Sequence, residues 1–371
     1  MDWTGLGQYY SGRLCEDFFR SLPPDALRPL PQDAGWTCCM RVGEWRVEGL
    51  GDTVRLANTM HRLAVYAREP DLFQAMKQFI GQITGNDGRP KDKLALVLAG
   101  GGAKGAYQIG VWSALDQLGL SGEIGGISGT SIGAVNALLF ARGDFNYAKN
   151  LWLELSRTNK RQEIQARIRK VNVKKVPGLG ELILDDRFLS QAALKRAASQ
   201  AVGGGYGDQI RRRYHMYTTS VVAEPLLKLM TMRTKDMKER YIPWGILSPA
   251  EMVQAVLASS ALPVVYQPVK LRGAEYYDGG LKDNVPFLPL YRCGYRKFII
   301  VHLGRSHVEE TQHKLAQCPG AWAVQIIPGP QVGSGVQAML DLSYKATLHR
   351  KKAGELDTLA LKDSLLALAR G

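Results

Sequence analysis

The chain has 371 residues, 45% apolar and 22% charged, the balance of a water-soluble globular protein rather than a disordered or fibrous one. No apolar run reaches the ~18–20 residues that cross a bilayer. The five cysteines (Cys15, Cys38, Cys39, Cys293 and Cys318) have the spacing of neither a disulfide framework nor a zinc site. The net charge of +14 is uneven: residues 1–90 carry −1, while residues 157–214 carry +9, a patch that attracts polyanions or anionic headgroups.

Met1-Asp2-Trp3-Thr4-Gly5 has no basic stretch leading into an apolar run, so no secretory signal is expected. With the odd cysteine count this points to a reducing, cytoplasmic setting. Residues 1–92 read as a separate, mostly helical segment that regulates or recruits. In "DTVRLANTMHRLAVYA", Val54, Leu56, Met60, Leu63 and Val65 fall at roughly helical spacing, and "DLFQAMKQFIGQI" repeats the pattern. Turn formers crowd residues 83–93, which places a boundary there.

The rhythm changes at Lys93. An apolar strand at 94–99 meets Gly100-Gly101-Gly102, and a helical stretch follows to Gly119. A second strand, "EIGGIS", meets another glycine turn and the helix "AVNALLFAR". Further strands are expected at 215–222 and 297–304. This alternation predicts a parallel sheet with helical crossovers.

Three readings fit the first glycine turn. Gly100-x-Gly102-x-x-Gly105 matches a dinucleotide fingerprint, but the acidic residue near the expected distance, Glu123, begins the next strand instead of ending it. No Gly-Lys-Ser/Thr follows, which excludes a Walker loop. The same amides at a helix N-terminus can hold a reaction oxyanion, or the turn can carry no ligand. The second turn is more specific. Gly129-Thr130-Ser131-Ile132-Gly133 is a G-x-S-x-G between a strand and a helix, the context of a nucleophile elbow. Ser131 then needs a base. One candidate is His302, at the end of a strand; the other is Asp278, beside Gly279-Gly280, whose pKa partial burial would raise.

Taken in order, Gly100-Gly101-Gly102-Ala103-Lys104-Gly105, Gly129-Thr130-Ser131-Ile132-Gly133 and Asp278-Gly279-Gly280 resemble the patatin-like phospholipase family over about residues 93–305. The stretch Ala258–Val269 and Asn284-Val285-Pro286 add to the resemblance. It implies a three-layer α/β/α fold with a mostly parallel central sheet, which residues 306–371 would complete with helices. It implies a Ser131–Asp278 dyad without histidine. The oxyanion hole would draw on the amides of Gly100, Gly101, Gly102 and Ile132, with Lys104 at the family's basic loop position. The implied reaction is hydrolysis of fatty-acyl esters of phospholipids or similar lipids, with no metal or other cofactor.

The segment "RQEIQARIRKVNVKKV" (161–176) sets Ile164, Ile168 and Val171 among Arg167, Arg169, Lys170, Lys174 and Lys175. It reads either as a basic amphipathic helix lying on an anionic membrane or as a solvated helix with one thin apolar stripe on the core. No nucleic-acid motif accompanies the charge, so that partner is not expected. Two rival functions stand beside the hydrolase: a Ser-Asp-His esterase that requires His302, and a non-catalytic lipid- or nucleotide-binding module.

Overall fold

The structure is a computed structural model. It describes residues 92–157, 191–224, 236–237, 239–263, 265–271 and 274–371, and before these residues 27–29, 35, 37–42, 45–50, 53–58 and 63–68. The chain divides into two compact units, Met1–Asp87 and Gly88–Gly371.

The first unit departs from the helical expectation. Five strands, β1 (Leu27–Pro29), β2 (Thr37–Val42), β3 (Trp45–Leu50), β4 (Thr53–Asn58) and β5 (Leu63–Arg68), form an antiparallel sheet in the order β1-β5-β4-β3-β2. Val54 and Leu56 are two residues apart, as are Leu63 and Val65; both pairs fit strand alternation at least as well as a helix. The registers pair Val42 with Trp45 and Leu50 with Thr53. Residues 71–83, expected to be a second helix, lie outside the described residues.

The second unit is built on an eight-stranded sheet. Its elements run β6 (Leu94–Leu98), α1 (Ala106–Gln117), β7 (Ile124–Thr130), α2 (Ile132–Arg142), α3 (Phe145–Arg157), α4 (Gln191–Val202), α5 (Tyr206–Arg213), β8 (His215–Val222), β9 (Glu239–Pro243), α6 (Pro249–Ser259), β10 (Val269–Leu271), β11 (Ala274–Asp278), α7 (Leu288–Arg292), β12 (Lys297–Val301), α8 (Val308–Ala316), β13 (Trp322–Ile326), α9 (Gly335–Leu340), α10 (Tyr344–Ala360) and α11 (Lys362–Arg370). The sheet order is β10-β11-β8-β7-β6-β12-β13, with β9 also on β8. The β8-β7-β6-β12-β13 block is parallel, and β9, β10 and β11 add antiparallel pairs.

β6 reads "LALVL" without alternation because both of its faces are buried. Leu94, Leu96 and Leu98 point into one apolar cluster with α1, α2 and α6. Ala95 and Val97 point into another with Phe287, Tyr295 and Phe298. The sheet therefore has a core on each face and helices outside both: three layers, α/β/α. The part after residue 305 is not purely helical, since β13 extends the sheet beside β12.

Candidate active site

Two strands meet end to end to build the site. β7 runs parallel to β8 as far as the pair Thr130–Thr219. β11 comes from the other direction and stops at the pair Asp278–Ser220. β9 lies along β8 over the same residues. A strand has two edges, so β7 and β11 share the other one and converge at the Thr219–Ser220 step. Ser131 follows the first strand, and Asp278 ends the second.

Ser131 turns sharply at φ 56° and ψ −125°, the only positive φ at a non-glycine among the described residues. Such a conformation costs on the order of 1–3 kcal/mol and persists only where neighbours hold it. The Ser131 N–H donates to Ser259 Oγ at 3.0 Å, and the Ser259 hydroxyl donates to the Thr219 carbonyl at 2.6 Å. Glycine is required on either side of the turn. A Cβ at Gly129 would lie 2.4 Å from the Gly133 oxygen, and one at Gly133 would lie 2.1 Å from the Leu98 oxygen.

The Ser131 hydroxyl hydrogen-bonds the Asp278 carboxyl. Asp278 is buried, and its Oδ1 also accepts from Gly280 N–H at 2.7 Å. Burial outweighs these two hydrogen bonds, and the carboxyl is pushed up from 3.8 to about 6. Gly279 lets the chain turn here, because a Cβ would fall 2.3 Å from the Thr219 oxygen. His302 does not join this pair. Its Nε2 meets Gln325 Oε1 at 2.8 Å on the neighbouring strand, and burial lowers its pKa.

The glycine turn abuts the elbow. A Cβ at Gly100 would lie 3.1 Å from Ser131 Cβ. Asn284 grips Gly100 from both sides: Gly100 N–H donates to Asn284 Oδ1 at 3.1 Å, and Asn284 Nδ2 donates to the Gly100 oxygen at 3.3 Å. This corrects the expectation for Gly100, whose amide is committed to Asn284 and is not offered to an oxyanion. The amides of Gly101 and Gly102 have no hydrogen-bond partner among the described residues. Ile132 opens α2, so its amide has no acceptor within the helix.

A buried polar chain fixes both ends of the loop to the elbow helix. Gln108 Nε2 donates to the Ala99 oxygen at 2.8 Å. Asn136 Nδ2 donates to the Gly105 oxygen at 2.9 Å and to Gln108 Oε1 at 2.7 Å. Trp152 Nε1 completes it on Asn136 Oδ1 at 2.9 Å. Below the elbow, the Asp283 carbonyl accepts from Thr130 Oγ1 at 3.1 Å, while its carboxylate takes Tyr241 OH at 2.6 Å and Lys314 Nζ at 3.3 Å. Lys104 is 8% exposed, and its chain passes Gly101 to end beside Gly304. Burial, then the charge of Arg350, lowers its pKa.

The sequence marked the turns but not their supports. Ser259 and Asn284 lie in quoted stretches, yet nothing local told their roles. Gln108, Asn136 and Asp283 look like ordinary helix or loop residues until the fold brings them in. Arg167, Arg169, Lys170, Lys174 and Lys175 lie outside the described residues.

Residues 96–291 match the family model described as patatin-like phospholipase. The chain belongs to the patatin-like phospholipase family. Among its relatives, the lysophospholipase NTE1 of Scheffersomyces stipitis is 23% identical over 274 residues, 71% of this chain and 15% of that protein. Patatin-like phospholipase domain-containing protein 7 of Mus musculus is 42% identical over 77 residues, 21% of this chain and 5% of that protein. This patatin-like chain therefore spans only a small part of the length of these relatives. Of solved structures, VipD from Legionella pneumophila is 16% identical with a TM-score of 0.43, covering 74% of this chain and 67% of that one. The elbow and the Asp278-Gly279-Gly280 turn both fall within the matched patatin-like residues.

Proposed function

We propose that this patatin-like protein hydrolyses fatty-acyl esters of membrane lipids, of phospholipase A or lysophospholipase type. The observation that carries the reading is the Ser131 hydroxyl held on a buried, raised-pKa Asp278 at the junction of β7 and β11. Asp278 takes the hydroxyl proton as Ser131 Oγ attacks the acyl carbonyl. The tetrahedral oxyanion accepts from the amides of Gly101 and Gly102, with Ile132 N–H as a further donor. Asp278 returns the proton to the leaving alcohol. A water activated by Asp278 then cleaves the acyl-serine and frees the fatty acid.

The membrane contact is peripheral in this reading. Among the described residues no helix is long and apolar enough to cross a bilayer. The positive net charge supports attraction to anionic headgroups. The histidine-dependent esterase loses support because His302 is engaged with Gln325.

The test is product analysis by mass spectrometry after incubation with mixed phospholipids and lysophospholipids. The native chain should release free fatty acid; Ser131→Ala and Asp278→Asn should not, while keeping native circular dichroism. Full activity in either variant removes the dyad. No labelling of the native chain by a fluorophosphonate in the presence of lipid favours a binding module.

A further inference from the structure

Arg350 lies on α10, well beyond the residues matched by the family model. The buried face of α10 is otherwise small: Thr347, Ala353, Gly354 and Thr358. This lets α10 press backbone to backbone against α1. A Cβ at Gly354 would lie 2.0 Å from the Tyr107 oxygen, and one at Gly110 would lie 1.8 Å from the Lys351 oxygen. Because α1 leaves directly from the glycine turn, this crossing delivers the Arg350 side chain to that turn.

Arg350 is 4% exposed, and its guanidinium is spent on main-chain carbonyls. Nη1 donates to the Ala103 oxygen at 3.4 Å and to the Asp341 oxygen. Nη2 donates to the Ala338 oxygen at 2.9 Å, and Nε to the Val332 oxygen at 3.3 Å. The Asp341 carboxylate is 3.9 Å away. Ala103 belongs to the glycine turn; the other three carbonyls belong to the 332–341 segment. That segment backs directly onto the turn, for a Cβ at Gly102 (φ +58°) would lie 2.4 Å from the Met339 oxygen. A buried cation is costly unless its donors are used, and here the planar fork joins two chain segments that meet at Gly102.

We propose that Arg350 is a positioning residue for ester hydrolysis. It touches neither Ser131 nor Asp278. It locks the glycine turn to the 332–341 segment and thereby fixes where the Gly101 and Gly102 amides point. The proposal rests on reading those amides as the oxyanion donors.

The test uses the full chain with a p-nitrophenyl acyl ester and a fluorophosphonate. If the native chain neither turns over the ester nor is labelled at Ser131, the hydrolase reading fails whatever Arg350 does. In an active chain, Arg350→Lys and Arg350→Ala should lower kcat by about 100-fold, as a misplacement of ~1 Å does. KM should stay within about threefold of native, because an interaction made only in the transition state is lost. Added guanidinium ion should raise the kcat of Arg350→Ala by about tenfold or more, a fraction of the ~100-fold lost. Hydrogen exchange at 101–105 and 335–341 should rise together in both variants, with β6 still protected. Lys352→Ala, on the solvent face of α10, should keep native kcat. Native kcat in the folded Arg350 variants overturns the proposal. Activity that merely follows the folded fraction by circular dichroism, without guanidinium rescue, also overturns it, since Arg350 then serves only the fold.

Discussion

In the proposed mechanism Asp278 is the base, and the burial that tunes it also bears on stability. Burial raises its pKa from 3.8 to about 6, so kcat/KM should rise with pH through an apparent pKa near that value, as the base becomes ionised. A pH–rate profile checks this. The stability consequence has the opposite sign. A raised folded-state pKa means that the protonated carboxyl suits the fold; its contribution is complete below 3.8 and lost as pH rises through about 6. Asp278→Asn should therefore be inactive yet more stable than native above that window, by up to about 3 kcal/mol, with the difference vanishing toward acid. Urea melts of the two chains at several pH values measure it. Ser131 stores strain of a different kind. Ser131→Gly frees a residue at φ 56° and should raise stability by about 1 kcal/mol while removing labelling by a fluorophosphonate.

Elements decide whether these residues meet. The α1–α10 crossing depends on Gly110 and Gly354, each facing the carbonyl of the other helix. Gly354→Ala should cost about 1–3 kcal/mol through overpacking, seen as a lower denaturant midpoint, and should reduce activity as well, since α10 carries Arg350. The strand–turn–helix units around Gly100 and Ser131 were legible because each has its own local signal: an apolar run, a glycine turn and a helical stretch. The strands of 37–68 were legible in principle, through Gly43-Glu44 and Gly51-Asp52 between alternating runs. They read as helical because Val54, Leu56, Leu63 and Val65 satisfy a loose 3.6-residue spacing too, and pairing between strands settles which period holds.

On the scale of the whole molecule, the second unit has its own two-sided core, and among the described residues all eight strands of its sheet lie within 88–371. Residues 88–371 expressed alone should fold with one cooperative thermal transition and native-like helix content by circular dichroism; a chain without a transition would show that residues 1–87 are needed for folding. If they regulate or recruit instead, removing them should change ester turnover or binding to anionic vesicles.

The sequence by itself determined the local pieces: the buried strand before Gly100, the elbow at Ser131, the Asp278 turn and the family they resemble. These depend on neighbours in the chain, where glycine is needed for close approach and apolar runs record burial. Only the tertiary structure decided how they combine. Shared pairing on one edge of β8 put Ser131 on Asp278 and left His302 to Gln325. Asn284 engaged the Gly100 amide, and a helix crossing brought Arg350 to the loop. Each of these is a contact between residues far apart in the chain. Its energy comes from burial and directed hydrogen bonds in the folded core, and no local pattern encodes it.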